Sequence, residues 1–114
     1  MLGIGGVFLR GSPDLGSWYG QHLGLDLEEW GGTVFRAREG DQTVWSVFPP
    51  DTTYWPAGQQ TMVNYRVRDL DAVLDRLRAA GVTVDERVEE TENGRFGWAV
   101  DPEGNRFELW QPPG

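Results

Sequence analysis

The ten residues DPEGNRFELW, positions 101–110, decide the fold. Asp101-Pro102-Glu103-Gly104 places Pro and Gly where a tight turn wants them, and NRFELW (105–110) follows as a strand. Strand side chains alternate between faces. Asn105, Phe107 and Leu109 therefore share one face, and Arg106, Glu108 and Trp110 share the other. The more apolar set belongs beneath a helix, which leaves Glu108 on a face that no helix covers. A lone carboxylate in a short strand is costly if buried without partners. Glu108 reads as a metal ligand, a catalytic base, a salt-bridge partner or a solvated side chain.

Upstream of the turn, RFGWAV (95–100) and VTVDERV (82–88) read as strands, and TMVNYRV (61–67) opens this half of the chain. Between them Asp69 is a good N-cap for a helix with Leu70, Val73, Leu74 and Leu77 on one face, closed by Ala79-Ala80-Gly81. The first half has the same order. GIGGVFLR (3–10) is a strand, and Ser12 caps a helix with Pro13 at its first position and Asp14 on the positive dipole end. Leu15, Trp18, Tyr19, His22 and Leu23 lie on one helical face and Gly24 stops the helix. LDLEEW (25–30), TVFRARE (33–39) and QTVWSVF (42–48) then read as strands, with turns at Gly31-Gly32 and Gly40-Asp41. Gly24 and Gly81 stand 57 positions apart, as do Phe8 and Tyr65. The predicted fold is α+β: two βαβββ repeats, about 1–48 and 61–114, forming a curved mixed sheet, a cup with its helices outside. One domain spans 1–114, with 49–60 as linker.

A single helix per half covers one sheet face, so the other is covered by a neighbour or encloses a cavity. Alternation assigns Phe8, Arg10, Met62, Asn64, Arg66, Arg106, Glu108 and Trp110 to that uncovered face. Trp45 and Trp98 lie in strands with two apolar or small faces, and either face admits them; Trp45 joins the candidates. As a cavity, such a face suits a small ligand with a flat or apolar body and an anionic group. Alternatively, its arginines neutralise Glu108 across a curved sheet. The linker PPDTTYWPAGQQ (49–60) carries Tyr54 and Trp55, adjacent aromatics that are expected to fold back as a lid or to pack on a partner.

Composition narrows the chemistry. The 114 residues carry a net charge of −8, which opposes binding to nucleic acid. There is no cysteine for disulfide or thiol chemistry, and all ten basic residues are arginine, which removes lysine-based mechanisms. The one histidine, His22, rules out a two-histidine metal site within one chain and reads as an imidazole favoured by the helix C-terminus. The six tryptophans suit a packed core or an aromatic-walled cavity. No segment approaches the roughly 20 apolar residues of a membrane helix. The start, MLGIGGVFLR, has no basic region before its apolar run, so the expected location is cytoplasmic.

WYGQHLGL (18–25), YRVRDLDAVLDRLRAAGV (65–82) and DPEGNRFELW (101–110) together resemble the vicinal oxygen chelate superfamily, the fold of glyoxalase I, bleomycin-resistance proteins and extradiol dioxygenases. In feel the chain is similar to small bacterial glyoxalase-like proteins. The resemblance implies a divalent metal on the concave face, with ligands falling at Gly6, at Trp45 or Ser46, at Met62 and at Glu108. Three of these four are not ordinary ligands, so no metal cofactor is expected. Glu108 is then a remnant held by Arg66 or Arg106, a group recognising a cationic or hydroxyl function, or a metal-free base. Three functions follow as expectations: small-molecule binding without a metal, a glyoxalase-type lyase or isomerase that works through a metal or Glu108, and a non-catalytic accessory module. The resemblance also implies a homodimer, with linker 49–60 as part of its contact.

Overall fold

Both helices form where their end signals stand. In the computed structural model, which describes residues 7, 11–41, 43, 44 and 48–114, α1 runs Pro13–Leu23 and α2 runs Leu70–Ala79. Asp69 caps α2 by accepting a hydrogen bond from the Ala72 N–H at 3.2 Å. At the other end of α2 the Val82 N–H reaches the Leu77 carbonyl and the Gly81 N–H the Arg78 carbonyl, both at 3.0 Å. Gly81 is left-handed at φ 79°, and the three features make a Schellman stop. Gly24 ends α1 with the simpler left-handed cap, at φ 74° with its N–H on the Gly20 carbonyl at 3.1 Å. Ser12 departs from expectation. It occupies the N-cap position, but its side chain makes no capping bond. Its carbonyl accepts from the Leu15 N–H while its own N–H reaches Glu103 Oε1 at 3.4 Å.

Among the described residues four strands form one mixed sheet: β1 (Asn64–Arg66), β2 (Glu89–Thr91), β3 (Gly94–Val100) and β4 (Arg106–Gln111), in the order β1-β4-β3-β2. β4 pairs parallel with β1 and antiparallel with β3, and β3 pairs antiparallel with β2. The strand expected over 82–88 is a correction: it makes one isolated bridge, Val84 to Ala99, and regular pairing begins at Glu89. The Asp85 N–H still reaches the Trp98 carbonyl at 2.9 Å, whereas the Arg87 N–H turns to Asp85 Oδ1 at 3.0 Å.

The first half differs more. The expected strands 25–30 and 33–39 do not form among the described residues. Glu28 instead closes a local turn, its N–H on the Gly32 carbonyl at 2.7 Å and its carbonyl accepting from Gly31. Most of both expected strands, 3–10 and 42–48, lies outside the described residues.

One face of the sheet is sealed by both helices. Leu15 and Tyr19 from α1, Leu70, Leu74 and Leu77 from α2, and Ala99, Phe107 and Leu109 from the sheet make the core. Each fully buried leucine or phenylalanine contributes roughly 1.5–3 kcal/mol relative to exposure. Gly97 lets α2 approach: a Cβ there would stand 3.1 Å from a Leu74 methyl. None of the described helices is long and apolar enough to cross a membrane.

Candidate functional site

The opposite face is ordered in rows by the strand register. Asn64, Glu108 and Trp98 lie side by side on β1, β4 and β3. The register settles Trp98, whose face the sequence left open. The next row is Arg66, Trp110, Phe96 and Glu89. Glu108 is only 8% exposed. Three groups hold its carboxylate: Asn64 Nδ2 donates to Oε1 at 2.7 Å, Trp98 Nε1 donates to Oε2 at 2.9 Å, and the Tyr54 hydroxyl donates to Oε2. All three are neutral donors, matched to an acceptor-only carboxylate.

The expectation that an arginine holds or neutralises Glu108 is therefore corrected among the described residues. Arg106 turns instead to Asp85 Oδ2 at 3.0 Å and to the Tyr54 carbonyl, with its guanidinium over the Trp98 ring at 5.4 Å. Arg87 stands over the same ring at 4.7 Å. The backbone N–H of Arg87, then the Arg106 guanidinium, holds the Asp85 carboxyl below its usual range. Arg66 reaches Asp41 at 3.8 Å. Trp110 shares the face of Glu108 but is buried; its ring stacks on Phe96 at 6.0 Å and its indole donates to the Asn93 carbonyl. Met62 is half-buried just before β1. Phe8, Arg10 and Trp45, with the positions Gly6 and Ser46, lie outside the described residues.

Linker 49–60 folds back over this face, and Tyr54 is the contact that alternation in the strands does not reveal. Its ring stands edge-on to Trp98, 5.8 Å between centroids at 80°, and packs on Phe48 at 5.4 Å. Burial first, and then the hydrogen bond to Glu108, pushes the Tyr54 phenol well above its usual pKa, so it remains a donor. Gln59 anchors the segment like a short piece of strand. Its side-chain amide accepts from the Arg106 N–H at 2.8 Å and donates to the Arg106 carbonyl at 2.7 Å. Trp55 Nε1 donates to the Gln59 carbonyl at 2.9 Å. Thr52, Thr53, Trp55, Pro56 and Ala57 of the linker, with Arg106, line an open depression of about 540 Å³.

The motif DPEGN itself has a structural task. Buried Asp101 accepts from the N–H groups of Glu103 and Asn105, from Asn105 Nδ2 and from the Tyr19 hydroxyl, at 2.8–2.9 Å. The turn is thereby closed on itself and tied to α1, 82 positions earlier in the chain. His22 sits on the helix side, stacked on Trp18 with its Nδ1 3.0 Å from the Trp18 carbonyl oxygen.

Among the described residues, the groups around Glu108 face it as hydrogen-bond donors rather than as metal ligands. An indole N–H is a donor only and an amide N–H also faces the carboxylate, where a metal needs lone pairs. No group of three His, Cys, Asp or Glu side chains comes together among the described residues.

A helix-backed mixed sheet of this order, with its carboxylate on the open face, defines a glyoxalase-type fold. Residues 9–110 match the glyoxalase-like domain, and the chain belongs to that family. Among solved structures it is similar to TnmS3, an antibiotic binding protein from Streptomyces sp. CB03234, at 27% identity over 87% of this chain and 84% of that one, with a TM-score of 0.55. A glyoxalase/bleomycin resistance protein/dioxygenase superfamily member from Sphaerobacter thermophilus DSM 20745 shares the fold at 22% identity, 92% and 91% coverage and a TM-score of 0.53. A glyoxalase/bleomycin resistance protein from Streptomyces sp. CB03234 aligns at 39% identity over 43% of this chain, spanning 42% of that one, with a TM-score of 0.40. No curated protein matches.

Proposed function

We propose that this chain binds a small molecule on the open face of its sheet, in a cup lined by aromatic and arginine side chains, without a metal. The observation that carries the reading is the Glu108 carboxylate, held by three neutral donors in the middle of that face. A carboxylate so placed anchors a ligand by accepting a further hydrogen bond, while the donors around it turn hydrogens rather than lone pairs toward a cation. The similarity to an antibiotic binding protein over 87% of the chain supports the same class of function. Trp98 touches the site directly, so its emission should report binding. The test is a titration of a panel of aromatic small molecules, followed by tryptophan fluorescence and melting temperature. A saturable response at micromolar concentration is expected; silence across the panel in both readouts removes the function. Glu108→Gln is expected to weaken binding, whereas abolition of a measured lyase or isomerase turnover by that variant would favour the enzymatic alternative.

A second reading concerns assembly. Trp30, Val34, Phe35 and Val44 are between 62% and 73% exposed. Large apolar side chains so exposed favour a homodimer contact through the first half, in place of one through linker 49–60, which packs on its own sheet. Sedimentation is expected to give a dimer at micromolar concentration; a monomer there rules the contact out.

A further inference from the structure

Two of the three groups on Glu108 are fixed by the sheet, and the third is not. Asn64 and Trp98 flank Glu108 in strand register. Tyr54 comes from a segment without helix or strand, delivered 54 positions away in the chain. It is held as a bound phenol would be: hydroxyl on the carboxylate, ring edge-on to Trp98 and packed on Phe48. The anchor of the segment does not depend on it, because Gln59 pairs with both backbone groups of Arg106 and Trp55 pairs with Gln59. Withdrawing Tyr54 breaks its bond to Glu108 and the Arg106 contact to its carbonyl, and leaves those three bonds in place.

We infer that the space Tyr54 fills is a subsite for a neutral hydroxyarene, with Glu108 as acceptor and Trp98 as wall, and that Tyr54 is its internal occupant, displaced by ligand. The inference rests on the small-molecule reading above and names its ligand class. A cationic ligand is disfavoured here, because the guanidinium groups of Arg87 and Arg106 already stand over the Trp98 ring. A phenolate is disfavoured by Glu108 itself. A neutral phenol matches an acceptor whose other partners are both donors.

The test compares p-cresol with its methyl ether, 4-methylanisole, on the wild-type chain, Tyr54→Ala and Tyr54→Phe, by tryptophan fluorescence and melting temperature. Tyr54→Ala vacates the subsite and is expected to bind p-cresol about tenfold or more tighter than the ether, since only the phenol donates to the carboxylate. p-Cresol should also raise its melting temperature. Should that variant not fold, Tyr54→Phe keeps the ring and loses the competing hydroxyl, and is expected to bind p-cresol more tightly than wild type does. Equal affinity for p-cresol and ether in every folded variant overturns the inference. If wild type answers the aromatic panel without preferring phenols, small-molecule binding stands and this subsite falls. If only the Tyr54 variants bind, with phenol preferred, the subsite is supported and the wild-type function is what fails.

Discussion

The two faces of this sheet are closed by different means. Beneath the helices, Leu70, Leu74, Leu77, Phe107 and Leu109 meet at 1% exposure or less. On the other face the closure at Glu108 is a loop phenol, an amide and an indole on one carboxylate. Dispersion and apolar burial cannot be exchanged for a ligand without leaving a cavity. A hydrogen bond from a loop can, because an incoming donor replaces the outgoing one and the acceptor stays satisfied. The helix face therefore holds the fold, and the open face is free to trade partners.

The largest expected effect lies on the helix face. Leu74→Ala should cost about 2–5 kcal/mol in denaturant unfolding, and where the variant remains folded its ligand affinity should be unchanged. A loss of affinity at equal folded fraction would break the division between faces. Alkaline pH gives the next effect. Burial first raises the Tyr65 phenol to about 12 and holds Tyr19 higher still, while both titrate near 10 in the unfolded chain. Their contribution is complete below pH 10 and is lost as pH climbs from 10 toward 12, so unfolding midpoints should fall across that window. Tyr19→Phe should flatten the fall. Next is Glu108→Gln, expected to cost about 1–2 kcal/mol of stability by weakening three charge-assisted bonds, with a larger proportional loss in binding. The smallest is Asp75→Ala on α2: its ion pair with Arg78 is solvent-exposed, and the change should stay within about 0.5 kcal/mol.

The helix face was legible because periodicity and end signals are local. Asp69, Gly24 and Gly81 marked their helix ends, and alternation in 105–110 separated Phe107 and Leu109 from Glu108. The open face was legible only in part. Alternation put Asn64 beside Glu108, but no pattern in a proline-rich linker says that Tyr54 reaches a residue 54 positions on. Arg106 was assigned to Glu108 by charge, whereas the chain offers it Asp85, a carboxylate with fewer donors around it. Alternation reads strands over 25–39, whereas Glu28 closes a local turn with Gly31 and Gly32 there. Ser12 was recognised as a cap by residue type, while Glu103 and the Leu15 N–H use its backbone instead.

The difference between the faces is most directly tested through the three tyrosines. Tyr19 and Tyr65 stand on the helix face and Tyr54 on the open one. With 3-fluorotyrosine incorporated, the chain should give three fluorine resonances, assigned by single Tyr→Phe variants. Adding p-cresol should shift the Tyr54 resonance and leave those of Tyr19 and Tyr65 in place. A Tyr54 resonance that stays put while p-cresol binds, or a shift confined to Tyr19 and Tyr65, would contradict the account.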